Sequence, residues 1–236
     1  RPADQKTLDQ SRSIKGESAS LEVLEADARA HLDAGQQARL QELEQQISAA
    51  TSDTARTSAL KQLSGWWYAQ GQRAIAGGLA EQVAELENTA AAWSVAGATF
   101  FQALQGEQDK ARRDFCAGRA IRAFESAVSL QPEQVEHRVN LALVYAENPP
   151  ADNPMKAVLL LRELEQKHPE SPAVYNALGR LAIKTGQWEK AIQRLEKAWS
   201  IDPQNPNTPC LLAMAYEGAG QAEKAAEFAG RCQDFK

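Results

Sequence analysis

The chain has 236 residues, of which 43% are hydrophobic, and its net charge is −5. Ala, Leu, Glu and Gln dominate while Val, Ile, Thr and aromatic residues are sparse, and this balance favours helices over sheets. So small a negative charge argues against a nucleic-acid-binding surface. The longest apolar runs fall far short of the roughly 18 to 20 residues that a membrane-spanning helix needs. We expect one continuous all-α domain.

The three cysteines are Cys116, Cys210 and Cys232. They are widely spaced, odd in number and form no CxxC pair, so the sequence predicts three free thiols rather than a disulfide framework or a zinc site. Cys116 is predicted to be a packed thiol, with a redox sensor as the less favoured alternative.

Sequence motifs for catalysis are lacking. We find no HExxH, GxSxG, Walker A or dinucleotide fingerprint. His31, His137 and His168 lie near predicted helix ends and polar loops, where solvated or capping histidines are the usual finding. The sequence therefore predicts a protein that is not an enzyme, with no catalytic, cofactor-binding or metal-binding residues.

The first quarter of the chain is predicted to hold an arm and a cap. Residues 1–20 contain too few large aliphatic residues to bury a face, so we interpret them as a linker or flexible arm. Residues 21–52 are predicted to form two capping helices, the second opened by a capping box between Asp33 and Gln36. Ser52 is expected to cap the next helix.

A repeat of 34 residues, clearest at 172–205, dominates the rest of the sequence. Gly179 and Ala191 would let two antiparallel helices approach closely, Gly186 would turn the chain, and Pro203 would end the second helix. The pattern W-x2-L-G-x2-Y, A-x3-F, P is matched in order by Tyr175, Leu178, Gly179, Ala191, Leu195, Ala198 and Pro203. This copy is identified as a tetratricopeptide repeat, with Ala182 in place of the usual aromatic residue.

The same register predicts further copies at 57–89, 90–134, 135–171 and 206–236. The resemblance implies a right-handed α-α superhelical solenoid of about five repeats, spanning 57–236, behind the N-terminal helical cap. The chain also resembles small tetratricopeptide proteins of Bacteroidota-type bacteria, in the segments KQLSGWWYAQGQRAIAGGLAEQVAELENT, DFCAGRAIRAF and DNPMKAVLLLREL. That resemblance implies tethering by an N-terminal membrane helix. The numbering opens at Arg1 without Met, so a signal peptide, anchor or tag is compatible with the sequence and localisation stays undetermined.

Two copies are longer than the standard period, by about 11 residues at 90–134 and about three at 135–171. The first excess predicts a long helix that begins before Lys110 and places Phe115 against Phe100, Leu104 or the loop 149–154. In that loop, Asn153 is expected to be an N-cap with Pro154 as first helical residue. The two insertions are expected to pack together as a brace, and the alternative is a second contact surface near Arg112.

The resemblance implies a concave groove formed by the first helices of the repeats, which such proteins use to bind peptide segments of other proteins. Solvated helix faces are the equally weighted alternative. The expected partner is a peptide with an apolar anchor and an acidic or carboxylate group; the alternative function is a self-assembling scaffold without a groove ligand. Projection of the register onto the groove selects Lys61, Tyr68, Phe101, Val139, Leu143, Asn176, Arg180, Ile183, Lys184 and Met214.

Overall fold

The computed structural model describes residues 20–234, which form 12 α-helices and no strand, so the predicted all-α class is confirmed. The first six helices are α1 (Leu21–Ala30), α2 (Ala34–Ala49), α3 (Asp53–Ala69), α4 (Arg73–Glu87), α5 (Ala90–Gly106) and α6 (Lys110–Leu130). The others are α7 (Val135–Glu147), α8 (Lys156–Lys167), α9 (Pro172–Lys184), α10 (Trp188–Ile201), α11 (Asn207–Gly218) and α12 (Ala222–Gln233). Of the arm predicted at 1–20, residues 1–19 lie outside the described residues.

Local sequence explains most of the helix boundaries. Asp33 and Gln36 form the predicted capping box, and the Ser52 hydroxyl accepts a hydrogen bond from the Ala55 amide. Ser20 caps α1 in the same manner. Gly186 adopts a positive φ of 68° in the turn before α10, a conformation that favours glycine.

The helices form two compact units, which divide between Pro132 and Glu133. In the first unit, α1 and α2 pack against the first helical hairpin, which is formed by α3 and α4. Leu24, Leu40 and Leu43 share a core cluster with the fully buried Trp67, and Trp66 packs against it. The N-terminal helices therefore cover the end of the first helical hairpin.

Small residues set the spacing within each hairpin. A Cβ atom added at Gly179 would lie 2.5 Å from Cγ of Leu195, and one added at Gly97 would lie 2.9 Å from the Phe124 ring. These distances are closer than van der Waals packing permits, so α9 and α10, like α5 and α6, approach through their glycines. The close approach predicted at Gly179 and Ala191 is confirmed, and Ala191 is fully buried, as are Ala120 and Ala142.

The excess residues of the second repeat lengthen both of its helices. The helices α5 and α6 have 17 and 21 residues, against 13 and 14 for α9 and α10. The longer helix begins at Lys110, so the prediction that it begins earlier is wrong: Asp109 stops it by capping the Arg112 amide.

The added turns of α6 brace the first unit. Phe115 lies edge-on to Phe100 with ring centroids 6.3 Å apart, as predicted, and it also contacts the cluster around Trp67. Arg113 donates hydrogen bonds to the carbonyls of Leu104 and Glu107, where α5 ends. These bonds satisfy acceptors that a helix end leaves without partners, so Phe115 and Arg113 together hold α6 against α5.

A half-buried ion pair continues the brace toward α4. The guanidinium of Arg119 lies 5.6 Å from the ring centroids of Phe100 and Phe115, and its Nη2 atom is 2.9 Å from the Glu81 carboxylate. Burial raises the pKa of Glu81, while Arg119 acts in the opposite direction.

Two sequence predictions fail in the second unit. Asn153 is not an N-cap, because α8 begins at Lys156 and the Asn153 carbonyl accepts a turn hydrogen bond from the Lys156 amide. Cys210 and Cys232 are joined in a disulfide rather than free. Their sequence separation of 22 concealed the pairing, since folding of α11 against α12 is what brings them together. Cys116 is a buried free thiol, as predicted.

Candidate functional site

The first unit carries a groove between α3 and α5, the first helices of two successive repeats. Its volume is about 490 Å³, and we call it the α3–α5 groove. Small apolar groups make up most of the lining. The residues that matter for its chemistry are Lys61, Gly65, Tyr68, Val83, Val95 and Thr99.

Gly65 opens the middle of this groove. It lies inside a helix of 17 residues, yet a Cβ atom added there would meet nothing within 4 Å. A glycine within a helix costs about 1 kcal/mol relative to alanine. Close helix packing explains Gly97, but no such contact exists at Gly65, so its structural effect is to leave space between the two helices.

Tyr68 forms a fixed aromatic surface at one end of the groove. Its ring is 43% exposed, its hydroxyl donates a hydrogen bond to Oε1 of Gln102, and the Arg73 guanidinium lies 5.8 Å from the ring centroid. Val95 on the opposite helix is 59% exposed, the most open of the large apolar side chains described. Two exposed apolar groups thus face one cavity, which is the common composition of a ligand site.

Lys61, at the other end of the groove, is paired internally. Its Nζ atom lies 2.6 Å from the Glu87 carboxylate, which leaves this end with no net charge. The predicted residues Lys61 and Tyr68 therefore line one cavity. Phe101 is half-buried and does not line it.

In the second unit the predicted charges are largely engaged within the protein. The ammonium of Lys184 donates to the Ala146 carbonyl at 2.9 Å and to Glu147 at 2.8 Å. The side-chain amide of Asn176 donates to the hydroxyl of Thr208 at 2.9 Å, and Thr208 is fully buried. These two predicted contact residues thus hold neighbouring helices together.

Arg180 differs from its neighbours. It is half-buried, and among residues 20–234 no hydrogen bond or ion pair to it is seen. Met214 is 53% exposed on α11. These two residues of the second unit remain available to a ligand.

The apolar positions predicted for the second unit are mostly structural. Val139 is only 4% exposed and belongs to the core between α7 and α9, so its assignment as a ligand contact is wrong. The register put it on the exposed side of α7, whereas packing of α7 against α9 covers it. Leu143 and Ile183 are partly buried against core clusters.

No direct sign in the sequence marked Gly65, Val83, Val95 or Thr99 as groove residues. Gly65 falls outside the positions at which the repeat pattern requires glycine, and that displacement is the one signal that could have identified it.

Other classes of site find little support in the described part of the chain. No group of three or more His, Cys, Asp or Glu side chains between residues 20 and 234 could hold a metal ion. Over the same range, each helix is too short or too polar to cross a membrane.

A tetratricopeptide repeat family model matches residues 151–207 and 186–231. Residues 151–231 therefore carry tetratricopeptide repeats, and the resemblance to the tetratricopeptide repeat family is confirmed. No curated protein matches the chain significantly.

One solved structure supports the fold assignment, and two more are similar over most of the chain. A thermophilic TPR protein of Thermus thermophilus is 16% identical, with a TM-score of 0.56 over 75% of this chain and 90% of that one. A MamA protein is 19% identical over 76% and 91% of the two chains, with a TM-score of 0.43. MamA from Desulfovibrio magneticus is 17% identical over 76% and 94%, also at 0.43. The all-α solenoid of tetratricopeptide repeats is thus confirmed as the fold class.

Proposed function

We propose that the protein is a binding module without catalytic activity that holds a peptide segment of another protein in the α3–α5 groove. Tetratricopeptide repeat proteins generally mediate protein–protein interactions. The observation that carries the proposal is the groove itself, which is lined by the exposed side chains of Tyr68 and Val95 together with Gly65. Gly118 is also an exposed helical glycine without a packing contact, but Gly65 lines this cavity and Gly118 does not.

The proposed ligand binds through apolar side chains rather than charge. Tyr68 and Val95 offer apolar surface, while the ammonium of Lys61 is already paired with Glu87. A helix laid in such a groove presents apolar residues three or four positions apart. Because little net charge faces the groove, its affinity should depend weakly on salt.

Arg180 supports a second candidate, a carboxylate-bearing peptide bound to the second unit. An arginine with no partner in the described chain can form a charge-assisted pair with a carboxylate. Binding there would weaken strongly with salt and would be lost in Arg180→Ala.

The test begins with selection of binders from a displayed library of random peptides of about 12 residues. The dissociation constant of the best peptide is then measured by fluorescence anisotropy, at low and high salt, for the wild type and for Gly65→Leu. Gly118→Leu is the matched control, because Gly118 is also exposed inside a helix with nothing within 4 Å of an added Cβ.

We expect Gly65→Leu to weaken binding about tenfold to a hundredfold, the value of one or two buried apolar groups. Gly118→Leu should bind as the wild type does. Equal affinity in both variants would reject the groove, and loss in Arg180→Ala alone would favour the second candidate. A molecular mass that rises with concentration in light scattering, with no peptide selected, would instead support a self-assembling scaffold.

A further inference from the structure

The disulfide closes the last helical hairpin at its open end. Cys210 lies in the first turn of α11 and Cys232 in the last turn of α12, with Cα atoms 4.9 Å apart. The turn that connects the two helices, at 219–221, lies at the other end of the hairpin. The hairpin is therefore held covalently at both ends.

Helix α12 needs this second attachment more than the other helices do. It is the one helix of the described chain without a buried residue, and its sequence is rich in charge. Its aromatic contacts run through Phe228, which stacks on Tyr216 at 5.6 Å and meets Trp199 edge-on at 6.0 Å. Arg231 adds a cation–π contact to Trp199 at 5.7 Å. Such contacts are individually weak at a surface.

We propose that the Cys210–Cys232 bond is a redox latch that keeps α12 closed over the aromatic residues Tyr216 and Trp199. A dithiol reductant opens the latch by thiol–disulfide exchange. One thiolate of the reductant attacks a sulfur of the Cys210–Cys232 bond, which forms a mixed disulfide and releases one protein thiol. The second thiol of the reductant then attacks the reductant's own sulfur in the mixed disulfide and releases the other protein thiol. The products are two protein thiols and the cyclic disulfide of the reductant. The closed form is the one favoured where thiols are kept oxidised.

Opening of the latch changes both order and surface. The bond removes chain entropy from the open hairpin, an effect that for a loop of this length corresponds to about a hundredfold in the opening equilibrium. Once α12 opens, Tyr216 and Trp199 lose the cover of Phe228. Reduction therefore shifts the hairpin toward an open form that exposes apolar surface of Tyr216 and Trp199, which the closed form covers.

The test is amide hydrogen exchange of the full chain, read by mass spectrometry on segment 222–233, with and without dithiothreitol. We expect exchange there to be about a hundredfold faster after reduction, while segment 110–130 of the first unit is unchanged. The double variant Cys210→Ser, Cys232→Ser should behave as the reduced protein does, whatever the reductant. Cys116→Ser is the control that keeps the latch.

Titration of thiols in denatured, unreduced protein gives an independent check, with one thiol per chain expected. Three thiols after air oxidation, or equal exchange of 222–233 in both redox states, would overturn the latch. The peptide affinity of the α3–α5 groove should not respond to reduction, so failure of the latch and failure of the proposed function are separate results.

Discussion

Replacement of Gly179 by alanine tests the close approach of helices on which the repeat assignment depends. The added Cβ would lie 2.5 Å from Cγ and 2.6 Å from Cδ2 of Leu195. Cγ is a branch point near the backbone, so the fully buried Leu195 cannot swing clear, and either its rotamer or the spacing of α9 and α10 must change. Such overpacking costs about 1 to 3 kcal/mol.

The same substitution brings a gain that must be subtracted. Alanine is better than glycine inside a helix by about 1 kcal/mol. Gly179→Ala should therefore lower the free energy of unfolding by up to about 2 kcal/mol. Gly118→Ala, at an exposed position with open space around it, should raise that energy by about 1 kcal/mol.

Urea unfolding followed by circular dichroism measures both effects, and stability is compared through the midpoint at constant m-value. Unfolding within a repeat array can lose cooperativity, so hydrogen exchange of 172–201 should confirm that the loss is local. If Gly179→Ala proves as stabilising as Gly118→Ala, the two helices are not in the contact described.

Three further predictions address buried groups. Ala191→Leu should cost about 1 to 3 kcal/mol in urea unfolding by overpacking, and a change near zero would contradict the helix register. Burial raises the pKa of the Cys116 thiol to about 11. A thiol reagent at neutral pH should therefore modify Cys116 only as fast as the protein opens. Rapid reaction in the native state would disprove the burial of this thiol. Burial lowers the pKa of His137, so on acidification the unfolded state takes up the proton at a higher pH than the folded state does. The free energy of unfolding should therefore fall as pH drops below about 6.5, and it should fall less steeply in His137→Gln. Identical pH profiles for the two proteins would refute this.

The fold was predicted well from the sequence because the helix starts and turns of the repeats depend on residues that act locally. Asp33 and Gln36 define a helix start by themselves, and Gly186 defines a turn by its φ. The errors arise where distant segments decide. Asn153 and Pro154 have the composition of a helix start, yet α8 begins two residues after Pro154 because the chain forms a backbone turn at 153–156. Sequence distance likewise hid the disulfide at Cys232.

Candidate site residues were harder to predict because the repeat register assigns a residue to a helix face but does not predict which side chains from other helices contact it. Lys61 and Lys184 were both assigned to a groove by register, and each forms an ion pair with a glutamate from another helix. The sequence offers no rule for such pairs, since the partners are 26 and 37 residues away. The position of a residue in a repeat thus predicts the helix face on which it lies better than it predicts whether its side chain is free to bind a ligand.

The two candidate binding regions differ in how accessible their small and charged residues are. At Gly179 the second unit uses a glycine to bring helices together, and Lys184 ties α9 to the end of α7. At Gly65 the first unit has a glycine that brings nothing together, beside the exposed ring of Tyr68 and methyl groups of Val95. Gly118 is likewise exposed without a packing contact, so the cost of a helical glycine does not by itself indicate a ligand. The stronger reason to look for the ligand in the first unit is that Gly65, Tyr68 and Val95 line one cavity, where a leucine at position 65 adds a side chain beside the exposed apolar groups.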